Sequence, residues 1–297
     1  MSNGSPGDEV LPQTTLAEAA LSREQRALLA KWMSDARLIA DLSWRQTDTL
    51  VLHVRGAAGD RIVKAGGPDN HHIGRDIDGH LQAAQVWAPN GHSARMLHAD
   101  RDARILLLEY LPGTLAFGTA AALDPAVHLR AGQLLRALHD EHQQESQGVD
   151  AAATLRAVAW LDSPHAIDAV TEQRLRAALA ALPPREEPLV PAHGDWQPRN
   201  WLVDGAEVRV IDFGRFAFRP RATDFARMSV QEWRENPACE TAFIDGYGYD
   251  PRHPEHWKLI LLREAIGTAV WAHQVGDVDF EQQGHRMIAD ALVHAHT

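Results

Sequence analysis

Hydrophobic and polar positions follow helical spacing in several parts of the chain. Amphipathic helices are predicted at residues 16–31, 73–87 and 172–182. The clearest helical pattern covers residues 125–139, where Asp124 is a typical N-cap and Pro125 occupies the first helical position. We therefore predict a long helix that begins at Pro125.

Short runs of β-branched and other apolar residues predict strands elsewhere. Residues 49–54 and 61–65 flank a glycine-containing turn and predict a β-hairpin, and the continuous apolar run at 105–110 predicts a buried strand. Shorter strand-like runs follow at residues 189–190, 201–203 and 208–211. The chain beyond about residue 222 is mostly helical in pattern. A strand-rich first third before a helix-rich remainder predicts a two-lobed α+β protein.

Composition and charge narrow the class of protein. The 297 residues are 45% hydrophobic, which is enough for a buried core, and the net charge of -11 repels phosphate backbones and anionic lipids. We therefore expect no nucleic-acid partner and no membrane, and the sequence indicates no obligate protein partner. A single cysteine, Cys239, cannot form an intramolecular disulfide and indicates a cytoplasmic protein. Residues 1–15 are polar, contain glycine and proline, and are predicted to be disordered.

Candidate chemistry is concentrated between residues 191 and 215. Asp195 lies five positions before Asn200, and Asn200 lies twelve before Asp212, which is followed by Phe-Gly. Phosphoryl transfer needs a carboxylate that orients a hydroxyl and accepts its proton, together with oxygen ligands for magnesium. A strand, turn and strand separate Asn200 from Asp212, so we expect the chain to fold Asp212 back beside the loop that carries Asp195.

This segment resembles the aminoglycoside phosphotransferase family, a branch of the protein-kinase-like fold that includes small-molecule kinases. His193-Gly194-Asp195 with Asn200 resembles the kinase catalytic loop, and Ile211-Asp212-Phe213-Gly214 resembles the metal-binding D-F-G segment. Regulated protein kinases commonly have arginine where Gly194 stands, so the glycine favours a small-molecule kinase. His193 is interpreted as a brace for the loop.

The resemblance extends roughly from residue 38 to the C-terminus and implies a bilobal protein-kinase-like fold. A small β-rich N-lobe that binds nucleotide would cover residues 16–108, and a connector would cover 109–113. A larger, mainly helical C-lobe with the catalytic loop, metal site and acceptor pocket would cover 114–297. The resemblance also implies ATP as co-substrate, with GTP left open, and Mg²⁺ held by Asn200 and Asp212, with Asp195 as catalytic residue.

Nucleotide contacts are also implied by the resemblance. Lys64 matches the family lysine that contacts the α- and β-phosphates, and Asp76 is the candidate for its acidic partner, with Asp78 as a competitor. Glu109 and Leu111 lie in the segment whose backbone binds the adenine edge. The nucleotide-covering loop at residues 41–48 lacks glycine, and Ser43 and Thr47 are the candidates there for donors to phosphate.

The acceptor is harder to predict than the chemistry. From residue 228 onward, eleven acidic residues stand against five basic ones, which suits a cationic acceptor but is equally typical of a solvated helical surface. Charge and position make Glu232, Glu235 and Glu264 candidates for contacts to amines. Trp196 follows Asp195 directly and is a candidate to pack on the substrate.

These features predict an ATP-dependent O-phosphotransferase acting on a small, cationic hydroxyl compound. An aminoglycoside or a basic peptide antibiotic would make it a resistance-type kinase, whereas a sugar, amino alcohol or choline-like acceptor would make it a metabolic kinase. A non-catalytic nucleotide sensor is a third interpretation. The acceptor, the hydroxyl position and the oligomeric state stay open at this point.

Overall fold

The computed structural model describes residue 16, residues 19–44 and residues 48–295, and it divides into two compact units. The first unit is the chain up to Ile77 together with Ala94–Tyr110, and the second is Asp78–Ser93 together with the chain from Leu111 onward. The predicted disorder of residues 1–15 lies outside the described residues. Across the described part of the chain, no helix combines the length and apolar character needed to span a membrane.

The first unit is built around a five-stranded antiparallel sheet. Its elements are α1 (Arg23–Trp32), β1 (Arg37–Asp41), β2 (Thr49–Gly56), β3 (Gly59–Gly66), the first half of α2 (His72–Gln82), β4 (Met96–Asp100) and β5 (Ile105–Glu109). The strand order is β1-β2-β3-β5-β4. The predicted hairpin is confirmed as β2 and β3, and the predicted buried strand is confirmed as β5. Strand β4 was not predicted.

Two helices begin where a capping side chain stands and not where the apolar pattern predicts. One begins later than predicted and the other begins earlier. Helix α1 begins at Arg23 because the Ser22 hydroxyl accepts the N–H of Gln25 while the Gln25 side chain accepts the N–H of Ser22. The apolar residues before Ser22 therefore precede the helix. Helix α5 (Ala169–Ala181) begins three residues before its predicted start, because the Asp168 carboxylate accepts the first free backbone donors.

The second unit is mainly helical, with two small sheets. Its remaining elements are β6 (Thr114–Leu115), α3 (Pro125–Asp140), α4 (Val149–Leu161), α5, β7 (Leu189–Ala192), β8 (Trp201–Asp204), β9 (Glu207–Val210), β10 (Ala217–Pro220), α6 (Ala226–Val230), α7 (Glu232–Glu235), α8 (Pro237–Tyr247), α9 (Pro254–Val275) and α10 (Val278–Ala295). One sheet pairs β10 with β7, and the other has the order β6-β8-β9. The predicted helix α3 is confirmed, with the Asp124 carboxylate accepting the N–H of Ala126 at 2.8 Å.

Two large hydrophobic clusters lie in the described part of the second unit. One is rich in aromatic rings and joins α3 and α8 to the strands β8 and β9. The other lies between α4, α5, α9 and α10. Both the β-rich first unit and the helical second unit agree with the predicted α+β fold, which is confirmed.

Residues 78–93 pack within the second unit, whereas the sequence interpretation put them in the N-lobe. The predicted helix at 73–87 ends at Gln82 and is followed by two 3₁₀ turns, Ala84–Val86 and Ala88–Asn90. Gly79 lies so close to Phe213 that an added Cβ would approach the Phe213 side chain to 2.4 Å, and Trp87 is 1% exposed in the aromatic cluster. Glycine at position 79 therefore permits the close packing of α2 on the residue after Asp212.

Candidate active site

The loop between β7 and β8 holds the predicted catalytic aspartate. Asp195 has a side chain 16% exposed, and a 3₁₀ turn, Pro198–Asn200, follows it. The side-chain amide of Asn200 donates to the Asp195 backbone carbonyl at 2.7 Å and to Asp195 Oδ2 at 3.0 Å. Gln197 Nε2 donates to Asp195 Oδ1 at 2.6 Å. The loop thus fixes both carboxylate oxygens of Asp195 from within.

The β8–β9 hairpin folds Asp212 back beside this loop, as the spacing predicts. The N–H of Ile211 donates to the carbonyl of Asn200 at 3.0 Å. The residue just before Asp212 is therefore hydrogen-bonded to the loop that carries Asp195. Asp212 is exposed and has a left-handed backbone, with φ of 68°, and its Oδ1 accepts the N–H of Gly214 at 3.2 Å. Phe213 is fully buried. The backbone therefore turns the Asp212 carboxylate outward and the phenyl ring inward.

The oxygen donors at Asn200 and Asp212 fit a magnesium ion that is also bound by phosphates. Because the Asn200 amide nitrogen donates to Asp195, its carbonyl oxygen is left for a cation. Asp212 adds an exposed carboxylate. No cluster of three or more His, Cys, Asp or Glu suited to a metal occurs among the described residues. Two protein oxygens with phosphate and water completing the shell is the usual arrangement for Mg²⁺ in nucleotide sites.

Gly194 is required by the geometry of the loop. Its φ of +80° is in the left-handed region, and an added Cβ would lie 2.3 Å from the carbonyl oxygen of Arg215. His193 braces the same turn, since its Nε2 donates to the Ile211 carbonyl at 3.1 Å and its Nδ1 accepts the N–H of Asp195. The glycine in place of the kinase arginine thus has a steric cause in this chain.

Asp224 anchors the loop from outside. Its carboxylate accepts the backbone N–H of His193 at 2.8 Å and that of Gly194 at 2.6 Å, and it also accepts a hydrogen bond from His139. Both Asp224 and His139 are fully buried. From the sequence, Asp224 is expected to anchor the helix that follows it and not to touch substrate. Its hold on the catalytic loop could not be predicted, because these partners lie 30 or more residues away along the chain.

Arg227 is a site residue that was not predicted from the sequence. Its Nη1 lies 3.0 Å from Asp195 Oδ1, and its Nη2 lies 2.9 Å from Glu264 Oε1. Burial alone would raise the pKa of Asp195, and nearby Asp212 acts in the same direction. Arg227 and then Arg215 outweigh both and hold the pKa of Asp195 below its ordinary value. Asp195 is therefore an ionised carboxylate at neutral pH, able to orient a hydroxyl.

In the first unit, Lys64 and Asp76 form a buried ion pair on β3 and α2. Asp76 is thus a partner of Lys64, as the resemblance implies. Glu109 is held by Arg95, with Nε and Oε2 3.0 Å apart, so the Glu109 carboxylate already has a cationic partner and a nucleotide would meet the backbone there.

The nucleotide-covering loop is described only in part. Ser43 Oγ accepts the N–H of Val51 at 2.9 Å and so supports the beginning of β2 in this structure. Thr47 lies outside the described residues. Leu111 is the first residue of the longer segment of the second unit and lies three residues before β6. Nucleotide contacts by these three residues stay predictions.

The prediction for Trp196 is wrong. Trp196 is 1% exposed and packs against Trp87, Trp201 and His193 inside the aromatic cluster, so its ring has no face for a substrate. Glu264 lies near Asp195 as part of the ion pair with Arg227, and its side chain is 27% exposed.

Glu232 and Glu235 line a cavity of about 560 Å³ in the second unit. Glu232 is 8% exposed, and within the described residues its Oε2 has no hydrogen-bond partner. Burial raises the pKa of Glu232 to about 7. Phe117, also in the wall, donates its N–H to the carbonyl of Pro198 and lies under the guanidinium of Arg199, so the cavity adjoins the catalytic loop.

The cavity is not a uniformly acidic surface, since Arg234 and Arg286 line it together with the two glutamates. Among the described residues, five of the eleven acidic residues beyond position 228 form ion pairs with arginine or lysine, and a sixth contacts a histidine: Glu240, Asp250, Glu255, Glu264 and Asp290, and Glu281. About half of the acidic residues in this last quarter of the chain thus have partners within the protein. The position of Glu232 in the cavity wall is therefore more informative about a ligand's charge than the net charge of this part of the chain.

Comparison with known proteins agrees with this geometry. Residues 61–258, more than half of the chain, match the model of the phosphotransferase enzyme family known as APH. The chain belongs to this family. The predicted enzyme class, a phosphotransferase, is therefore confirmed for this APH-family protein. No curated protein matches the chain by sequence.

Solved structures with the same fold include kinases for quite different acceptors. A choline kinase, LicA from Streptococcus pneumoniae, has a TM-score of 0.68 at 15% identity and covers 92% of this chain and 99% of its own. A choline/ethanolamine kinase family protein from Mesorhizobium loti has a TM-score of 0.59 at 20% identity, covering 92% and 94%. A thermostable mutant of aminoglycoside phosphotransferase APH(4)-Ia with ADP and hygromycin B has a TM-score of 0.59 at 13% identity, covering 91% and 97%. These likenesses confirm the kinase-like fold of this APH-family chain.

Proposed function

We propose that this phosphotransferase is a magnesium-dependent kinase that transfers the γ-phosphate of ATP to a hydroxyl of a small, cationic molecule. The observation that carries the proposal is the grouping of Asp195, Asn200 and Asp212 by one loop and one hairpin. A nucleotide sensor without catalysis would need neither an ionised Asp195 nor the hydrogen bonds and ion pair that hold its carboxylate. The presence of both favours catalysis.

Each residue has a distinct task in the proposed reaction. Asp195 orients the acceptor hydroxyl and takes its proton as the oxygen attacks the γ-phosphorus, and the bond to the nucleoside diphosphate breaks. Lys64, held by Asp76, contacts the nucleotide phosphates. Asn200 and Asp212 would hold the magnesium ion, which when bound supplies positive charge against the phosphate oxygens. Of the related structures, the aminoglycoside phosphotransferase complex with ADP supports the choice of an adenine nucleotide.

The cavity beside the catalytic loop is the proposed acceptor site. Its volume of about 560 Å³ lies within the range typical of small-molecule sites. Oε2 of the buried Glu232 has no hydrogen-bond partner among the described residues. Burying such a carboxyl costs free energy that a ligand amine recovers by ion pairing, since the amine favours the ionised form. Glu235 stands one helical turn away on the same wall and would bind a second amine. These two residues favour a cationic acceptor.

Two kinds of cationic acceptor fit this site. Aminoglycosides and basic peptide antibiotics carry several amines beside hydroxyls, and their modification would make the enzyme a resistance kinase. Choline-like amino alcohols carry one cation and one hydroxyl, and their modification would make it a metabolic kinase. The structural similarity to kinases of both kinds supports testing both.

The test is phosphate transfer measured directly. The purified protein is incubated with Mg²⁺, either ATP or GTP, and each member of a panel of aminoglycosides, basic peptide antibiotics, sugars and amino alcohols. The masses of the products are measured by mass spectrometry. We expect an acceptor that gains one phosphate with the wild type and at least about 100-fold more slowly with Asp195→Asn. Mg²⁺-dependent nucleotide binding without transfer to any member of the panel would contradict the cationic acceptor.

A further inference from the structure

The segment that carries Asp224 and Arg227 holds the catalytic loop at two points. A 3₁₀ turn, Arg221–Phe225, runs directly into α6, so residues three apart in this segment lie on one face. Asp224 accepts the backbone N–H groups just before Asp195, and Arg227 reaches the Asp195 carboxylate itself. One rigid segment therefore fixes both the backbone and the side chain of the catalytic residue.

The donors around Asp195 are divided unequally between its two oxygens. Oδ1 receives Gln197 at 2.6 Å and Arg227 at 3.0 Å, whereas Oδ2 receives Asn200 at 3.0 Å. A carboxylate oxygen has two lone pairs, so the contacts from described residues fill Oδ1 and leave one lone pair on Oδ2. The carboxylate thus has one oxygen that is held and one that can still accept a proton.

We propose that Arg227 is a positioning residue that fixes the Asp195 carboxylate so that Oδ2 receives the proton of the acceptor hydroxyl. The proposal rests on the proposed function. In the step concerned, the acceptor O–H bond breaks and its proton passes to Oδ2, the acceptor oxygen forms a bond to the γ-phosphorus, and the bridging P–O bond breaks to release the nucleoside diphosphate. Arg227 contacts Asp195 and takes part in no bond change.

Glu264 gives Arg227 its own orientation. The guanidinium binds Asp195 with Nη1 and Glu264 with Nη2, and the Arg227 side chain is only 13% exposed. A guanidinium can span two carboxylates because its donors point in fixed, separate directions, whereas a lysine ammonium is a single point charge. Arg227→Lys is therefore expected to keep the charge and lose part of the orientation.

Three variants test the positioning role. Arg227→Met removes the cation at similar volume, Arg227→Lys retains it, and Arg227→Ala leaves space for added guanidinium ion. Arg263→Met is the matched control, because Arg263 is also a buried arginine on a second-unit helix that is paired with a buried aspartate, Asp150. The control should lose thermal stability while its kcat stays at the wild-type value.

The kinetic outcome expected for Arg227→Met is a fall in kcat of about 100-fold, since small displacements of a catalytic group cost this much. The KM for nucleotide should stay within about threefold, Arg227→Lys should recover part of kcat, and guanidinium should raise kcat of Arg227→Ala but not of the wild type. A kcat within about threefold of the wild type for Arg227→Met overturns the proposal.

A second readout needs no acceptor. Crystal structures of Arg227→Met and Arg227→Lys show whether the Asp195 carboxylate turns away from its contacts with Gln197 and Asn200. An unchanged carboxylate in Arg227→Met overturns the positioning role even when kcat falls. If the wild type transfers phosphate to no acceptor, the proposed function has failed, and this comparison alone decides whether Arg227 positions Asp195.

Discussion

Asp224 Oδ1 accepts the backbone N–H of Gly194 at a distance of 2.6 Å. Burial raises the pKa of Asp224, but the hydrogen bond from His139 and the charge of Arg219 act against it, and the pKa stays below its ordinary value. This buried carboxylate is therefore ionised, and its charge is satisfied by two backbone donors and one imidazole. The peptide groups just before Asp195 are held by a fixed anion, so the loop depends on the conformation of Gly194.

Gly194→Ala is expected to disrupt the loop. Alanine at a φ of +80° is strained by about 1–2 kcal/mol, and its Cβ would also lie 2.3 Å from the Arg215 carbonyl. Gly205→Ala is the matched control, since Gly205 has a φ of +59° and nothing lies within 4 Å of an added Cβ. Urea unfolding should show a larger decrease in the free energy of unfolding for Gly194→Ala than for Gly205→Ala, and Gly194→Ala should also have a lower kcat. Equal losses in the two variants would contradict the steric account.

Asp76→Asn is expected to weaken binding of Mg²⁺ and ATP by about tenfold, or 1.4 kcal/mol. The reason is that Lys64 is buried and oriented by the Asp76 carboxylate, and a neutral amide holds the ammonium less firmly. Asp78→Asn is the matched control, because it removes the same charge two residues along the helix. Isothermal calorimetry with nucleotide measures both. A larger effect from Asp78→Asn would reverse the assignment of the Lys64 partner.

Most of the fold could be predicted because its signals are local. The β2–β3 hairpin follows from two apolar runs around glycines, and α3 follows from Asp124, Pro125 and a regular apolar stripe. Short edge elements such as β4 have only one apolar pair to mark them and were missed. The beginnings of helices were misplaced where a cap, such as Ser22, was not weighed.

The candidate site was predictable only where its residues are close in sequence. Asp195, Asn200 and Asp212 belong to one loop and one hairpin, so spacing alone brings them together. Arg227 reaches Asp195 from a separate segment, and no local pattern marks that contact. Proximity in sequence also misled, since Trp196 follows Asp195 directly but its indole is buried in the core.

Glu232→Gln is expected to stabilise the protein above pH 7 and to weaken acceptor binding. In the unfolded chain this carboxyl ionises near its ordinary pKa of 4.5, whereas burial raises the folded value to about 7. Wild-type stability therefore falls as pH rises between these values, by about 3 kcal/mol, and glutamine removes that loss. Thermal unfolding at about pH 5 and pH 8 measures it. The exposed Glu235→Gln serves as control, and a similar gain in that variant would contradict the burial argument.

The last prediction concerns a buried imidazolium that joins α4 to α9. His256 Nε2 lies 3.0 Å from Asp150 Oδ1, and Nδ1 lies 3.1 Å from Glu187 Oε1, with the imidazole only 2% exposed. Burial lowers the pKa of His256, but hydrogen bonds and charge from Asp150 and Glu187 outweigh it and raise the pKa to about 9. Because the folded value exceeds the ordinary 6.5, the stabilisation is complete below about pH 6.5 and is lost as pH rises through about 9.

Replacing the His256 imidazole should make the free energy of unfolding depend less on pH in the alkaline range. Urea unfolding of the wild type is expected to lose up to about 3 kcal/mol between roughly pH 6 and pH 10 from this group, and His256→Gln should lack that loss. His273→Gln is the control, because His273 also pairs with a carboxylate, Glu281, but is 38% exposed. A wild-type slope retained in His256→Gln would mean that another group titrates, whereas a slope lost in both variants would mean that exposed histidines contribute equally.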